Sequence, residues 1–216
     1  MRWQSCRATS QDPDHRVFIT FEGGEGAGKS TQARLLVEAL GRSGREIVPT
    51  REPGGSPGAE TLRALLLSRE QEWSPSAEIY LHFAARTDHL ARTILPALQR
   101  GAIVVCDRFA DSTMAYQGYG LGADRTLIAT LTALLPVQPT VTVVLQVTPA
   151  VSAQRIVARH RALDRYEAMD AGFHARVAEG FGAIAAAEPD RCVVIDADRP
   201  MEAVHRAALA AVQARL

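Results

Sequence analysis

The stretch Val17-Phe-Ile-Thr-Phe-Glu-Gly-Gly-Glu-Gly-Ala-Gly-Lys-Ser-Thr31 constrains this chain more than any other. Val17, Ile19 and Phe21 alternate as a strand requires, and Gln32 to Leu40 carries helical spacing. Between them lies Gly23-x4-Gly28-Lys29-Ser30. In that setting, glycines let the backbone turn tightly and aim consecutive N–H groups at phosphate oxygens, while the following helix adds its positive N-terminal end. Gly23, Gly24, Glu25, Gly26, Ala27, Gly28, Lys29, Ser30 and Thr31 are therefore expected around a nucleoside triphosphate. Lys29 would reach the β- and γ-phosphates, and the Ser30 hydroxyl would hold Mg2+.

Composition sharpens this reading. The chain has 23 arginines and a single lysine, and that lysine is Lys29. An ammonium is a compact point charge, whereas a guanidinium is a planar fork, so the exception falls where a point charge against phosphates is useful. No Asn occurs anywhere, which removes the Asn-Lys-x-Asp guanine-reading motif and most of the case for a GTPase switch. Zero formal charge and a pI of about 7.0 argue against a broad nucleic-acid or acidic-membrane footprint. No apolar run approaches the ~18 residues of a membrane span. The three cysteines, Cys6, Cys106 and Cys192, lack metal-type spacing and read as buried small hydrophobes in a reducing compartment.

At 216 residues the chain suits one α/β domain over residues 16–216, preceded by a flexible tail, 1–15, without periodicity. After the first helix, Glu46 to Thr50 reads as a strand leading into Arg51-Glu-Pro-Gly-Gly55, which sets Arg51 at a strand's carboxyl end, where ligands of open α/β sheets collect. Helical spacing returns over Glu60–Leu67 and from Ala77 to about Leu98, where His82, Phe83, Arg86 and His89 are related by i, i+3 and i+4 steps. On pattern alone that is an ordinary buried face with a surface arginine, and the two histidines have no third ligand for a metal. Ala102-Ile-Val-Val-Cys106 is an apolar strand ending in Asp107-Arg108-Phe109, and Asp107 is placed either to help order magnesium or to cap the next helix.

A polar segment, Asp111 to Gly118, follows, then a helix from Asp124 to Leu134 and a strand from Val141 to Val147. The next helix carries Arg155 and Arg159 into Arg161 and Arg165, the one local basic excess. It reads as a lid, about residues 155–168, closing arginines over a transferring phosphoryl group. A helix over 166–187, a strand over 192–195 and a helix over 201–216 complete a three-layer α/β P-loop NTPase fold. It has a five-stranded parallel sheet flanked by helices and a small lid.

The phosphate loop, Arg51-Glu-Pro-Gly-Gly55, Phe83-Ala-Ala-Arg86, Asp107-Arg108-Phe109-x-x-Ser112, Ala115-Tyr-Gln-Gly118 and Leu163-Asp-Arg-Tyr-Glu167, in this order, resemble thymidylate kinase from about residue 16 onward. The resemblance implies transfer of the γ-phosphoryl of ATP to dTMP with magnesium, in a cytoplasmic homodimer. Arg51 and Arg108 would clamp the acceptor phosphate, and Arg86 would hydrogen-bond the thymine edge. Ser112, Tyr116 and Gln117 would face base and sugar, Glu25 the 3′-hydroxyl side, and Asp196-Ala-Asp-Arg-Pro200 the adenine. The phosphate loop carries no arginine, so the catalytic guanidinium is expected from the lid, at Arg159 or Arg161 with Arg165 behind them. The family places an aromatic four residues before the thymine-binding arginine. Here that position is His82 and the aromatic is Phe83, and a helical step of ~100° keeps both rings from facing one base. Either His82 stacks or the helix adjusts to bring in Phe83. A kinase for another nucleoside monophosphate, such as dUMP, dCMP or a specialised nucleotide, and an ATP-binding regulatory module are the alternatives.

Overall fold

The computed structural model describes residues 16–158 and 163–215. The 1–15 tail with Cys6, and the lid candidates Arg159 and Arg161, lie outside the described residues. Five strands, β1 (Val17–Glu22), β2 (Ile47–Arg51), β3 (Ile103–Asp107), β4 (Val141–Gln146) and β5 (Cys192–Asp196), form one sheet in the order β2-β3-β1-β4-β5, with every pair parallel. The helices are α1 (Lys29–Leu40), α2 (Pro57–Leu67), α3 (Pro75–His89), α4 (Leu95–Gln99), α5 (Ala110–Thr113), α6 (Arg125–Ala133), α7 (Pro149–Val157), α8 (Ala171–Ala187) and α9 (Met201–Gln213).

All six residues of β1 are buried, because parallel crossovers lay helices over both faces of the sheet. Val17, Ile19 and Phe21 join Leu36 of α1 and Val204, Ala208 and Val212 of α9 in one apolar cluster. On the opposite face Phe18 packs with Leu90, Ile94, Val104 and Phe109, meeting the Phe109 ring edge-on at 4.9 Å. The chain leaves β1 first towards β3 and β2 and later towards β4 and β5. This reversal opens a crevice beyond the carboxyl ends of β1 and β3, where ligands of such sheets sit.

Three differences from the sequence expectation have local causes. The single helix expected over 77–98 is α3 and α4 joined by a π-helical stretch, Leu90–Ile94. It lies just before Pro96, whose missing N–H and bulky ring disturb the regular ladder. The helix expected from residue 166 starts at Ala171. Asp164 Oδ1 instead accepts the N–H groups of Tyr166 and Glu167, each at 2.9 Å, and Asp170 caps α8 through Phe173 N at 2.7 Å. The polar segment after β3 is α5 followed by a second π-helical stretch, Met114–Gly120. It nestles against α8 at Gly120, where a Cβ would stand 2.6 Å from the Phe173 ring.

Candidate active site

Gly23, Gly26 and Gly28 take φ values of 135°, 71° and 90°, conformations open to glycine but strained for other residues. They fold the loop so that α1 begins at Lys29 with neither a capping side chain nor an acidic residue in its first turn among the described residues. Its leading N–H groups are thereby left for an anion. The loop is fastened from behind. Ser152 Oγ donates to Glu25 O at 2.8 Å, and Arg155 donates to Gly26 O at 3.3 Å and Ala197 O at 2.9 Å. Arg155, part of the expected basic lid cluster, is thus a brace between the loop and the segment after β5. Lys29 Nζ donates to Gly24 O at 2.7 Å, and burial, with the Arg108 charge second, brings its pKa down to about 8.

Ser30 Oγ donates to Asp107 Oδ2 at 2.5 Å. The other carboxylate oxygen, Oδ1, is buried with no partner among the described residues. A hard oxygen acceptor left open beside a hydroxyl fits a magnesium ion, which takes few protein ligands and completes its shell with water and phosphate. No group of three His, Cys, Asp or Glu side chains that could cage a metal occurs among the described residues.

The acceptor side is organised by Arg108, whose backbone sits in the left-handed region at φ 72°. Its guanidinium donates to Gly23 O and Ser112 Oγ, both at 3.1 Å, to Glu25 Oε1 at 2.5 Å and to Tyr116 Oη at 2.8 Å. Beneath it, Glu22 accepts from Phe109 N at 2.7 Å and Ser112 Oγ at 2.6 Å, and burial followed by the Asp111 charge raises its pKa to about 8. Arg51 is half-exposed and rests on the Glu60 carboxylate at 3.0 and 3.1 Å.

Arg86 is only 2% exposed. It is held by Glu52 Oε2 at 2.7 Å and by Phe109 O and Thr113 Oγ1, both at 3.1 Å, and its Nη1 has no partner among the described residues. Lys29, Ser30, Arg51, His82, Arg86, Asp107, Arg108, Ser112, Tyr116 and Gln117 line one cleft of about 420 Å³, a volume suited to a small ligand. Glu25, Gly28 and Thr31 line it too.

Of the expected site residues among those described, Gly23, Gly24, Gly26 and Ala27 of the loop do not line this cleft, and Phe83 and Arg165 are not brought there either. Phe83 turns away to pack with Ile79, Ala123 and Ile128, so the ring at the cleft is that of His82. Arg165 is captured by the buried Glu78 carboxylate at 2.7 Å and lines a separate hollow with Arg69 and Trp73.

The match to a family model described as thymidylate kinase spans residues 21–208. The chain is 52% identical over 204 residues to the thymidylate kinase of Gluconobacter oxydans, covering 93% of this chain and 95% of that protein. It is 51% identical over 202 residues to that of Caulobacter vibrioides, covering 92% and 97%. A crystal structure of thymidylate kinase from Ehrlichia chaffeensis superposes with a TM-score of 0.75 at 37% identity, covering 91% of this chain and 98% of that one. The chain belongs to the thymidylate kinase family.

Membership of the thymidylate kinase family makes the chain a nucleoside monophosphate phosphotransferase on a P-loop NTPase fold. The cleft of this family member is also lined by residues to which the sequence assigns no individual role, among them Glu52, Arg63, Asp164 and Tyr166. Glu22 and Glu78 are buried and bonded to residues that line it, Glu22 to Phe109 and Ser112, Glu78 to Gln117 and Tyr166. Glu78 was legible in principle, since Glu78, His82 and Arg86 stand four residues apart on one face of α3. Arg63 gives no such signal, being an ordinary helix arginine whose reach is set by the bond it donates to Pro53 O at 2.6 Å.

Proposed function

We propose that this cleft transfers the γ-phosphoryl group of ATP in line to the phosphate of dTMP, giving dTDP and ADP. The observation that carries the reading is the convergence of Lys29, Arg51, Arg86 and Arg108, from four separate segments of the chain, on one hollow beyond the sheet. Two nucleotides repel each other end to end, and cations on several sides of one crevice cancel that repulsion. Little else is needed chemically. The attacking oxygen belongs to a phosphate monoester whose second pKa is about 6, so it is mostly dianionic at neutral pH and needs no strong general base.

In this reading Lys29 and the loop N–H groups hold the donor phosphates, with the Asp196–Pro200 segment beside the adenine. Arg51 and Arg108 make paired charge-assisted bonds to the acceptor phosphate. Glu25, held against Arg108 and Tyr116, faces the sugar 3′ side. Arg86, Gln117 and the His82 ring meet the base. Ser30 and Asp107 would hold magnesium, which when bound neutralises charge on the transferring phosphates. With Arg155 bracing the loop and Arg165 on Glu78, the catalytic guanidinium is assigned to Arg159 or Arg161.

Among the described residues no helix is long and apolar enough to cross a membrane. The cytoplasmic homodimer is proposed from family membership, and light scattering on the purified chain tests the dimer. The activity is tested by ADP release with ATP, magnesium and a panel of dTMP, dUMP and dCMP. dTMP-dependent ADP formation is expected, and its absence overturns the reading.

A further inference from the structure

We propose that Glu78, which touches no substrate, is a positioning residue for base selectivity. It locks the Gln117 carboxamide with its nitrogen inward, so that the cleft offers an acceptor to a ring N–H. The proposal rests on the reading of the cleft as a dTMP site.

Glu78 is 1% exposed. Its Oε1 accepts from Gln117 Nε2 at 2.9 Å and from the Tyr166 hydroxyl at 2.8 Å, and its Oε2 accepts from Arg165. A carboxylate can only accept, so the Gln117 amide must present its NH2 group to Glu78. The same nitrogen donates to Tyr166 Oη at 3.0 Å, an oxygen whose own proton is already committed to Glu78. His82 Nε2, 3.1 Å from that oxygen, is therefore a donor as well, and the neutral imidazole keeps a bare Nδ1. Turning the amide over would set its oxygen against two acceptors. Gln117 Oε1 is consequently fixed, and it is buried without a partner among the described residues.

Arg86 is oriented in a parallel way. Glu52 Oε2 takes its Nε, while Glu52 Oε1 is occupied by His89 Nδ1 at 3.0 Å and His89 Nε2 meets Thr50 Oγ1 at 2.7 Å. Nη2 is used on Phe109 and Thr113, leaving Nη1, without a partner among the described residues, as the open donor. Two residues that line the cleft thus offer one donor and one acceptor. A base edge with a carbonyl beside a ring N–H satisfies both. Cytosine, with a bare ring nitrogen beside an amino group, would oppose acceptor to acceptor and donor to donor, and such mispairing of buried groups is heavily penalised. Neither atom reads the 5-position, so this device discriminates dTMP from dCMP and leaves dTMP against dUMP untouched.

The test compares kcat/KM for dTMP, dUMP and dCMP in the wild type and in Glu78→Gln, with circular dichroism as the fold check. In the variant the amide at 78 can accept or donate, so Gln117 is free to turn. The dTMP/dCMP ratio is expected to fall at least about tenfold, while the dTMP/dUMP ratio holds. A defect of packing alone would lower all three substrates together. An unchanged dTMP/dCMP ratio, or losses in step across the three, overturns the proposal, as does a wild type that does not separate dTMP from dCMP. Should Glu78→Gln fail to fold, Tyr166→Phe, which removes one of the two inward anchors of Gln117, is read by the same ratio with the same direction expected. A wild type that makes no ADP from dTMP overturns the activity itself, an outcome distinct from an active enzyme whose ratio does not move.

Discussion

Ser30 Oγ stands 2.5 Å from Asp107 Oδ2, tying the first turn of α1 to the last residue of β3. Because β3 pairs with β1 in the register Phe21↔Asp107, the two strands deliver the phosphate loop and this carboxylate to the same height. On the proposed reading the buried Oδ1, which has no partner among the described residues, would accept magnesium or its water. Asp107→Asn is expected to raise the magnesium concentration for half-maximal rate by roughly 10–100-fold, with the thermal midpoint little changed. A magnesium titration at saturating ATP and dTMP measures this, and an unaltered requirement would move the metal elsewhere.

Lys29, with its pKa held down near 8 by burial and then by Arg108, gives a pH prediction whose sign follows from its partners. Phosphates beside the ammonium favour its protonated form, so nucleotide binding draws the pKa upward and takes up a proton once the free enzyme has lost one. The kcat/KM for ATP should therefore decline as pH rises through about 8. Lys29→Arg, which cannot deprotonate, should turn over more slowly but lack that limb. Profiles of the two proteins from neutral to alkaline pH would settle it, and parallel profiles would contradict the assignment.

The phosphate loop contains its own control. Gly26 has φ 71°, and a Cβ there would come within 2.7 Å of Ser152 O, a backbone atom of α7 that cannot step aside cheaply. Gly24, two residues earlier, would meet nothing within 4 Å among the described residues. Gly26→Ala should cost about 1–2 kcal/mol for the left-handed backbone alone, add a clash to that, and raise KM for ATP sharply. Gly24→Ala should leave stability near wild type. Thermal melts with and without ATP distinguish the pair, and equal tolerance at the two positions would refute the packing argument.

Much of this architecture is legible in the residues because the signals are local. The strand, glycine turn and helix around Gly23–Ser30 follow from periodicity and backbone freedom, and the five strands fall within a residue or two of their apolar runs. What stays hidden is relational. Nothing in Arg165 itself says that Glu78, on a helix almost ninety residues earlier, will capture it. Phe83 and His82 are adjacent in sequence, and only the packing of α3 against Ala123 and Ile128 decides which ring is committed to the core. Glu22 looks like the last residue of a strand, and its chemistry is set by burial beneath Phe109 and Ser112.

Glu22 supplies a prediction about stability. Burial, and after it the charge of Asp111, raise its carboxyl pKa from an ordinary 4.5 to about 8 in the folded chain. Between those values the native state keeps a proton that the unfolded state has released, so the unfolded state binds fewer protons and stability must decrease as pH rises. The contribution is fully present below about pH 4.5, declines through the neutral range, and is lost above about pH 8. Glu22→Gln, neutral at every pH and similar in shape, removes this dependence. It should therefore gain on the wild type progressively between mildly acidic and mildly alkaline conditions. Urea denaturation of both proteins at several pH values across that interval checks it. Two stability curves running parallel would mean that Glu22 is already ionised in the native state, balanced by Arg108 despite its burial.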